Sequence, residues 1–373
     1  MDNKQLFARN LKTARKNAGL SQVKLAEMLS YSGKAISKWE SGSAYPPSEV
    51  LPELARILDT DLNTLFDFRE EATYFLGVDG GGTKTKFMLT DKDGNVLRTL
   101  TLGACNPTSV GIDTTVSVFY DGIKQICADI PKGKVSVFIG SAGCGIESNQ
   151  KIVSERLKLL NLSKLAVGGD GENIISAGLR GNDGVVAILG TGSIIYSSYH
   201  GQRHRIGGYG HFIGDTMSGS ELGRACLEAV FSDIDKSGAK TLLTEKVTAI
   251  KGNDVSKILS DMYSEGKTYM SNLAHFVFEA VDEGDIVAIE ILDRNIERLA
   301  EQLSAALSQL PTSQALPVVL AGGITNFADK FVEKLRSKIT AKNFESIKIL
   351  DEEPVYGAVL LAGANDVKEN KNA

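Results

Sequence analysis

The chain has 373 residues, of which 42% are hydrophobic and 23% charged, and its net charge is −5. These values are ordinary for a globular protein and exclude a chain that is basic throughout, while the length suggests more than one folding unit. No apolar stretch approaches the ~20 residues of a membrane span, and residues 1–4 do not resemble a secretory signal. Four scattered cysteines form no Cys-x-x-Cys pair, so we expect reduced, mostly buried thiols in a cytoplasmic protein.

The first 40 residues differ in charge from the rest of the chain. They contain eight lysines and arginines against three acidic residues, an asymmetry that suggests an anionic partner. Apolar residues at helical spacing, capping serines at positions 21 and 32, and stops at Gly19 and Gly42 predict five short helices before residue 68. A tight turn joins the second and third of these helices, which describes a helix-turn-helix domain.

Two segments and one proline make this prediction more specific. Residues 19–26 (GLSQVKLA), residues 36–42 (ISKWESG) and Pro46 resemble the lambda-repressor/Cro-like (XRE) family of DNA-binding domains. The resemblance implies that Gln22 contacts a DNA phosphate. It also implies a recognition-helix face made of Ser32, Gly33, Lys34, Ser37 and Lys38. The glutamine that often opens this helix in the family is replaced here by Ser32 and Gly33, so the base preference stays open.

The recognition helix has two kinds of residue. Lys34 and Lys38 lie one turn apart on one face, so both can reach phosphates or the edge of a guanine. Ile36 and Trp39 are interpreted as core residues. The alternative for the lysines is a solvated basic surface with no partner.

Residues 75–86 (FLGVDGGGTKTK) contain an apolar run that ends at Asp79, followed by three glycines. Glycine permits positive φ values and lets backbone amides approach phosphate oxygens, and Asp79 could hold an accompanying metal ion. The stretch fits neither a P-loop, because Thr83 stands where lysine is required, nor a Rossmann pattern. Alternation after Thr83 predicts a second strand, so we predict a strand–turn–strand phosphate loop, with a hairpin that binds nothing as the alternative.

The order of predicted elements from residue 74 starts again at residue 184. Each half opens with three antiparallel strands and continues with α/β units. Two further glycine turns, at residues 190–193 and 322–323, also follow apolar strands. Together the three turns resemble the phosphate-1, phosphate-2 and adenosine motifs of the sugar kinase/actin/chaperone ATPase superfamily.

Within that superfamily, residues 74–364 are most similar to the N-acetylglucosamine kinase/BadF-type ATPase family, through segments such as 77–85 and 207–211. The implied fold class is an all-α five-helix helix-turn-helix domain followed by an α/β two-lobed actin-like ATPase domain with a duplicated ribonuclease-H-like core. The predicted domains are the helix-turn-helix domain (1–68), a linker (69–73), kinase-like lobe I (74–182), kinase-like lobe II (183–365) and a flexible tail (366–373).

The family resemblance also implies roles for individual residues. Asp79 would help to position Mg²⁺, and Gly322 and Gly323 would pack on the adenine of ATP. The nucleotide phosphates would be contacted by Gly80, Gly81, Gly82, Thr83, Lys84, Thr85, Gly190, Thr191, Gly192 and Ser193. The sugar would be contacted by Asn106, Asp170, Gly208, Tyr209 and Asp215, with Asp170 as the catalytic base.

Asp170 has a physical argument of its own. It ends a predicted strand just before a helix, and phosphorylation of a sugar requires a carboxylate that accepts the hydroxyl proton. The alternative is that Asp170 only caps the helix. The family's Gly-Asp-Glu-Gly-Ser is replaced by residues 214–218 (GDTMS), and Tyr209 stands where tryptophan is common, so the sugar is left open.

Two functions follow from the combination of domains. One is a transcription regulator, expected to be a homodimer on operator DNA, whose DNA binding is controlled by a sugar or amino sugar, by ATP, or by both. The other is an active ATP-dependent sugar kinase, similar to N-acetylglucosamine kinases, that also carries a DNA-binding domain. Both imply ATP and Mg²⁺ as cofactors.

Overall fold

The computed structural model of the chain describes residues 3–66, 72–252 and 254–371. The chain divides into two compact units, the first containing residues up to 173 together with those from 358 onward, and the second containing residues 174–357. Within the described ranges, no helix is long and apolar enough to cross a membrane. Residues 69–71 of the predicted linker and the last two residues of the predicted tail lie outside the described residues.

The N-terminal region is helical and has its own apolar core. Its helices are α1 (Asn3–Asn17), α2 (Gln22–Met28), α3 (Gly33–Glu40), α4 (Leu51–Ile57) and α5 (Leu62–Leu65), with a 3-10 turn at Ser48–Val50. The side chain of Ser21 accepts a hydrogen bond from the backbone of Lys24, and that of Ser32 accepts one from Ala35, which confirms both predicted caps. Phe7, Leu25, Ile36, Trp39 and Leu54 are among the residues that form the core.

The first unit contains a five-stranded sheet. Its strands are β1 (Tyr74–Gly80), β2 (Lys84–Asp91), β3 (Val96–Gly103), β4 (Val135–Ser141) and β5 (Lys164–Gly168). The helices between and after them are α6 (Pro107–Val110), α7 (Ile112–Ile126), α8 (Glu147–Leu157) and α9 (Asp170–Leu179). The strand order is β3-β2-β1-β4-β5; the β1–β2 and β2–β3 pairs are antiparallel, and β4 lies parallel to both β1 and β5.

This topology brings the carboxyl ends of three strands together. Asp79 of β1 is paired with Gly140 of β4, and Gly140 is paired with Gly168 of β5. Because α9 begins at Asp170, two residues after β5 ends, both predicted acidic site residues are carried by the same edge of one sheet.

The second unit repeats the arrangement. Its strands are β6 (Gly184–Leu189), β7 (Ser193–Tyr199), β8 (Gln202–Ile206), β9 (Leu316–Ala321) and β10 (Phe344–Ile349). Their order, β10-β9-β6-β7-β8, has the same sequence of antiparallel and parallel pairs as the first sheet. The duplication predicted from the order of elements is therefore confirmed.

The remaining helices occupy the stretch after β8 and the C-terminal part of the chain. They are α10 (Gly219–Ile234), α11 (Leu242–Lys251), α12 (Val255–Glu265), α13 (Lys267–Ser271), α14 (Ala274–Asp282), α15 (Ile286–Ser308), α16 (Val332–Lys338) and α17 (Pro354–Lys371). A 3-10 segment, Gly323–Lys330, precedes α16, and Phe327 within it has a non-helical backbone. The Phe327 ring stacks on Phe278 at 4.2 Å, a tertiary contact that outweighs local helical preference.

Candidate functional site

Helix α3, the predicted recognition helix, has a buried face and an exposed face. Ile36 and Trp39 are buried in the core of the N-terminal helices, which confirms their interpretation as core residues. Lys34, Ser37 and Lys38 are exposed, and Ser32 is exposed at the position that caps the helix. The predicted DNA-facing residues are thus presented together on one surface.

Gln22 is held by a buried ion pair that the sequence did not suggest. The carboxylate of Glu40, whose side chain is only 2% exposed, accepts hydrogen bonds from Arg15 Nε at 2.5 Å and Arg15 Nη2 at 3.0 Å. Gln22 Nε2 donates to the same carboxylate at 2.8 Å. The hydrogen bond to Glu40 raises the pKa of Arg15. These contacts link α1 and the start of α2 to the end of α3, and so fix the position of α3 relative to the other two helices.

The first glycine turn connects β1 to β2. Within the turn, Gly81 N donates a hydrogen bond to Lys84 O at 3.0 Å. A Cβ on Gly80 would lie 2.5 Å from both Cys105 Sγ and Ser141 Oγ, so close packing requires glycine there. A Cβ on Gly82 would meet nothing within 4 Å, and this residue is exposed to an approaching ligand.

None of Gly80, Gly81 and Gly82 has a positive φ, so the turn does not use the left-handed backbone conformation that glycine permits. Thr83 and Lys84 are exposed beside the turn. Thr85 is instead fully buried, and its hydroxyl donates to Gly103 O at 2.7 Å, which holds its side chain within the sheet.

The carboxylate of Asp79 is clamped by a hydrogen bond from Asn173, a residue that was not predicted from the sequence. Asn173, fully buried in α9, donates through Nδ2 to Asp79 Oδ1 at 2.8 Å, to Gly140 O at 3.1 Å and to Val78 O at 3.3 Å. These three acceptors fix the orientation of the amide. A Cβ on Gly140 would lie 2.0 Å from Asn173 Oδ1, so the clamp also needs glycine in β4. The position of Asn173 in the first turn of the helix after β5 was the only available signal.

Asp170 and Asn106 lie in the same unit as Asp79. Asp170 is exposed at the start of α9. Burial raises the pKa of Cys105, and the carboxylates of Asp79 and Asp170 raise it further, so both are within electrostatic range of one thiol. Asn106 follows Cys105 directly and caps α6, its Oδ1 accepting from Thr108 N at 3.0 Å. The three predicted residues therefore all belong to the first unit.

The second glycine turn connects β6 to β7 and is anchored to the start of α10. Gly190 N donates to Gly192 O at 2.9 Å. The carbonyls of Gly190 and Thr191 accept from Gly219 N at 2.8 Å and from Ser220 N at 3.0 Å. The turn up to Ser193 is therefore held by backbone contacts, which leaves its exposed side chain, Thr191, directed away from the core.

Asp215 lies against this second turn. It is buried, accepts a hydrogen bond from Gly210 N at 3.1 Å, and its Oδ2 would lie 2.7 Å from a Cβ on Gly192. Met217, two residues further, is fully buried with φ of +59°. Its backbone N–H donates to Asn295 Oδ1 at 3.1 Å. The residue that replaces glycine in the family pattern therefore keeps a backbone conformation that favours glycine.

The remaining predicted residues of the second unit lie on two loops. Tyr209 is 67% exposed, with the guanidinium of Arg205 over its ring at 5.1 Å, and Gly208 precedes it. Gly322 follows β9, where a Cβ would lie 2.4 Å from Leu189 O, and Gly323 begins the next segment. The predicted adenosine motif and the predicted second phosphate motif are thus neighbours at the ends of β9 and β6.

Magnesium was predicted to bind indirectly through Asp79. Among the described residues, no group of three His, Cys, Asp or Glu side chains could hold a metal by itself. A single carboxylate beside an exposed glycine turn fits an ion that takes most of its oxygen ligands from phosphates and water, as Mg²⁺ does. The donor set therefore fits Mg²⁺ that arrives with a nucleotide.

The two sheets of identical strand order and the glycine turns at their strand ends define an actin-like ATPase-type α/β fold, here preceded by a helix-turn-helix region. Residues 76–362 match the BadF/BadG/BcrA/BcrD ATPase family, to which the chain belongs. Residues 11–65 match a helix-turn-helix family.

Individual relatives agree with this assignment. The chain is 29% identical over 301 residues to the N-acetylmuramic acid/N-acetylglucosamine kinase of Clostridium acetobutylicum, covering 78% of this chain and 98% of that protein. A candidate N-acetylglucosamine kinase from Chromobacterium violaceum has a similar structure, with a TM-score of 0.63, 24% identity, and coverage of 78% of this chain and 99% of the other. A ROK family transcriptional regulator aligns with a TM-score of 0.53 and 12% identity over 97% of this chain and 96% of its own.

Proposed function

We propose that the protein is a transcription regulator whose DNA binding is controlled by a sugar or amino sugar, by ATP, or by both, bound in its kinase-like domain. The observation that carries the proposal is the exposed face of α3, with Lys34, Ser37 and Lys38 opposite the buried Ile36 and Trp39. The fold shared with a ROK family transcriptional regulator supports it, because that likeness extends over 97% of the chain.

DNA would be bound by placing α3 in the major groove. Lys34 and Lys38 would contact phosphates or base edges, and the Gln22 amide, positioned by Glu40, would contact a phosphate. A homodimer would bind two half-sites, whose spacing is set by the distance between its two helix-turn-helix domains. A conformational change driven by ligand would alter that distance and hence the affinity for the operator.

The ligand would be bound by the residues at the strand ends. Backbone amides of the turns at residues 80–83 and 190–193 would receive phosphate oxygens, with Asp79 positioning Mg²⁺, which would neutralise phosphate charge. Gly322 and Gly323 would pack on the adenine. The sugar would be contacted by Asn106, Asp170, Gly208, Tyr209 and Asp215. Its hydroxyl groups would form hydrogen bonds with the amide, carboxylate and phenol groups among these side chains.

The test is selection of bound sequences from a random DNA library, followed by fluorescence anisotropy with and without ATP–Mg²⁺ and a panel of hexoses and N-acetylhexosamines. We expect one preferred sequence and a ligand-dependent affinity. Replacing both Lys34 and Lys38 by alanine should weaken binding and reduce the salt dependence by about 0.9 for each lost phosphate contact. Lys151→Ala, an exposed lysine on α8, should change neither. The absence of sequence-selective binding under all conditions would refute the proposal.

A second candidate function is phosphoryl transfer from ATP to a sugar. It is favoured by the exposed carboxylate of Asp170 on the same sheet edge as the clamped Asp79, and by the kinases among the relatives. Asp170 would accept the proton of the attacking sugar hydroxyl. The hydroxyl oxygen would bond to the γ-phosphorus while the bond between that phosphorus and the ADP oxygen breaks.

A coupled assay of ADP formation across the same sugars tests this second function. Asp170→Asn should lower turnover by about 10²- to 10⁴-fold, the usual contribution of a general base. Asp121→Asn, an exposed carboxylate on α7, should leave it unchanged. Sugar-independent ATP turnover, or equal turnover in both variants, would remove Asp170 from this role.

A further inference from the structure

The exposed face of α3 offers very few side chains for reading DNA bases. Ile36 and Trp39 are buried, and Glu40 is engaged by Arg15 and Gln22. Gly33 and Ala35 have no polar side-chain atoms. Of the eight residues of α3, Gly33–Glu40, only Lys34, Ser37 and Lys38 remain, and none of them is Arg, Asn or Gln.

Lysine discriminates among bases because it only donates hydrogen bonds. In the major groove, guanine presents two neighbouring acceptors, N7 and O6, whereas adenine presents an acceptor beside a donor and cytosine presents a donor. Thymine presents one acceptor beside a methyl group. The serine hydroxyl both donates and accepts, so Ser37 favours no base strongly. The base preference of this face is therefore set by the two lysines.

We propose that each helix-turn-helix domain, if it binds DNA as proposed above, reads guanine at two nearby positions, one through Lys34 and one through Lys38. Four residues of an α-helix span about 6 Å. This distance corresponds to slightly less than two base-pair steps of about 3.4 Å each. The two guanines of a half-site therefore lie one or two steps apart, on either strand.

Gly33 provides a variant that should change the preference. A Cβ at Gly33 would meet nothing within 4 Å, and its φ is not positive, so a larger residue fits without strain. Glutamine pairs with adenine through its N6 and N7 groups. Gly33→Gln should therefore add an adenine preference next to the guanine read by Lys34, and it should also favour the helix, since glycine is a poor helix former.

The experiment is sequence selection from a random library with the full chain and with four variants: Lys34→Ala, Lys38→Ala, Gly33→Gln and the control Lys151→Ala. We expect guanine at two positions in each half-site of the parent. Each lysine variant should lose discrimination at one of these positions by roughly 5- to 100-fold and keep the other. The control should select the parental site.

Two results would overturn the inference, and they have different meanings. Selected sites without these guanines, or guanines that persist in both lysine variants, would show that the lysines contact only phosphates, and the proposed regulator would stand. Failure to select any sequence with the parent chain would overturn the proposed regulator and this inference together.

Discussion

The hydrogen bonds of Asn173 make a sharp prediction about the candidate nucleotide site. Asn173→Asp keeps the shape of the side chain but replaces the Nδ2 donor that faces three acceptors, namely Asp79 Oδ1 and the carbonyls of Val78 and Gly140. The new carboxylate would be buried beside that of Asp79. The substitution should therefore lower the stability of the surrounding structure, and the Asp79 carboxylate should no longer be held in its present orientation.

The magnitude follows from the individual contacts. A hydrogen bond to an ionised carboxylate contributes about 1.5–3 kcal/mol, and a buried carbonyl that loses a donor costs about 1 kcal/mol or more. Taking the lower value for each of the two carbonyls, we expect a total loss of about 3.5–5 kcal/mol at pH 7. Burial and the Asp79 carboxylate would raise the pKa of a carboxyl at position 173. The loss should therefore be smaller near pH 5, where that carboxyl is increasingly protonated, than at pH 8.

Two probes can assign the effect to the correct part of the chain. The single tryptophan, Trp39, lies in the core of the N-terminal helices, so its fluorescence follows their unfolding in urea, whereas circular dichroism follows the whole chain. We expect the dichroism transition to shift and the fluorescence transition to stay. Thermal stabilisation by ATP–Mg²⁺ should be lost. Asn149→Asp, which removes one bond to Gly143 O, should cost about 1 kcal/mol. A dichroism transition within 1 kcal/mol of the parent at pH 7 would refute the reasoning.

Three further predictions concern other parts of the chain. Glu40→Gln leaves a buried arginine without its carboxylate and should destabilise the N-terminal helices by about 3 kcal/mol, measured by Trp39 fluorescence; an unchanged midpoint would contradict this. Met217→Gly relieves about 1 kcal/mol of backbone strain but deletes a fully buried side chain worth about 2–5 kcal/mol. Urea unfolding should therefore show a less stable protein, and a more stable variant would show that the strain outweighs the packing. Burial raises the pKa of Cys127 and Cys144 to about 11, so only about one thiol in a thousand is ionised at pH 8; alkylation should be slow there and rise with pH, and rapid labelling at pH 8 would disprove it.

The elements that could be predicted from the sequence are those specified by local patterns. Alternation and apolar runs located the strands, and serine followed by helical spacing located the caps of α2 and α3. The repeated order of elements then implied two sheets with equal strand order, as found. Local periodicity and topology were sufficient because each strand pairs with neighbours that chain order largely determines.

What escaped prediction depends on contacts between distant residues. The Arg15–Glu40 pair spans 25 residues and the Asn173–Asp79 contact spans 94, with no pattern in the sequence that links the partners. The non-helical Phe327 has the same origin, since its ring stacks on Phe278. The reason for glycine at position 80 also depends on distant residues, because the space is taken by the side chains of Cys105 and Ser141 and no positive φ is used.

Asp170 connects the two candidate functions, because phosphorylation of the bound sugar would convert the ligand that controls DNA binding into a different molecule. If the regulator responds to the unmodified sugar, Asp170→Asn should bind that sugar, fail to phosphorylate it, and so give a DNA response that is stronger and longer than in the parent chain. If the regulator responds to the sugar phosphate, the same variant should lose the response to the sugar and ATP but keep it when the sugar phosphate is added. Asp170 is exposed at the start of α9 and is not among the acceptors of Asn173, so this substitution leaves the Asn173–Asp79 contact in place and can separate catalysis from binding.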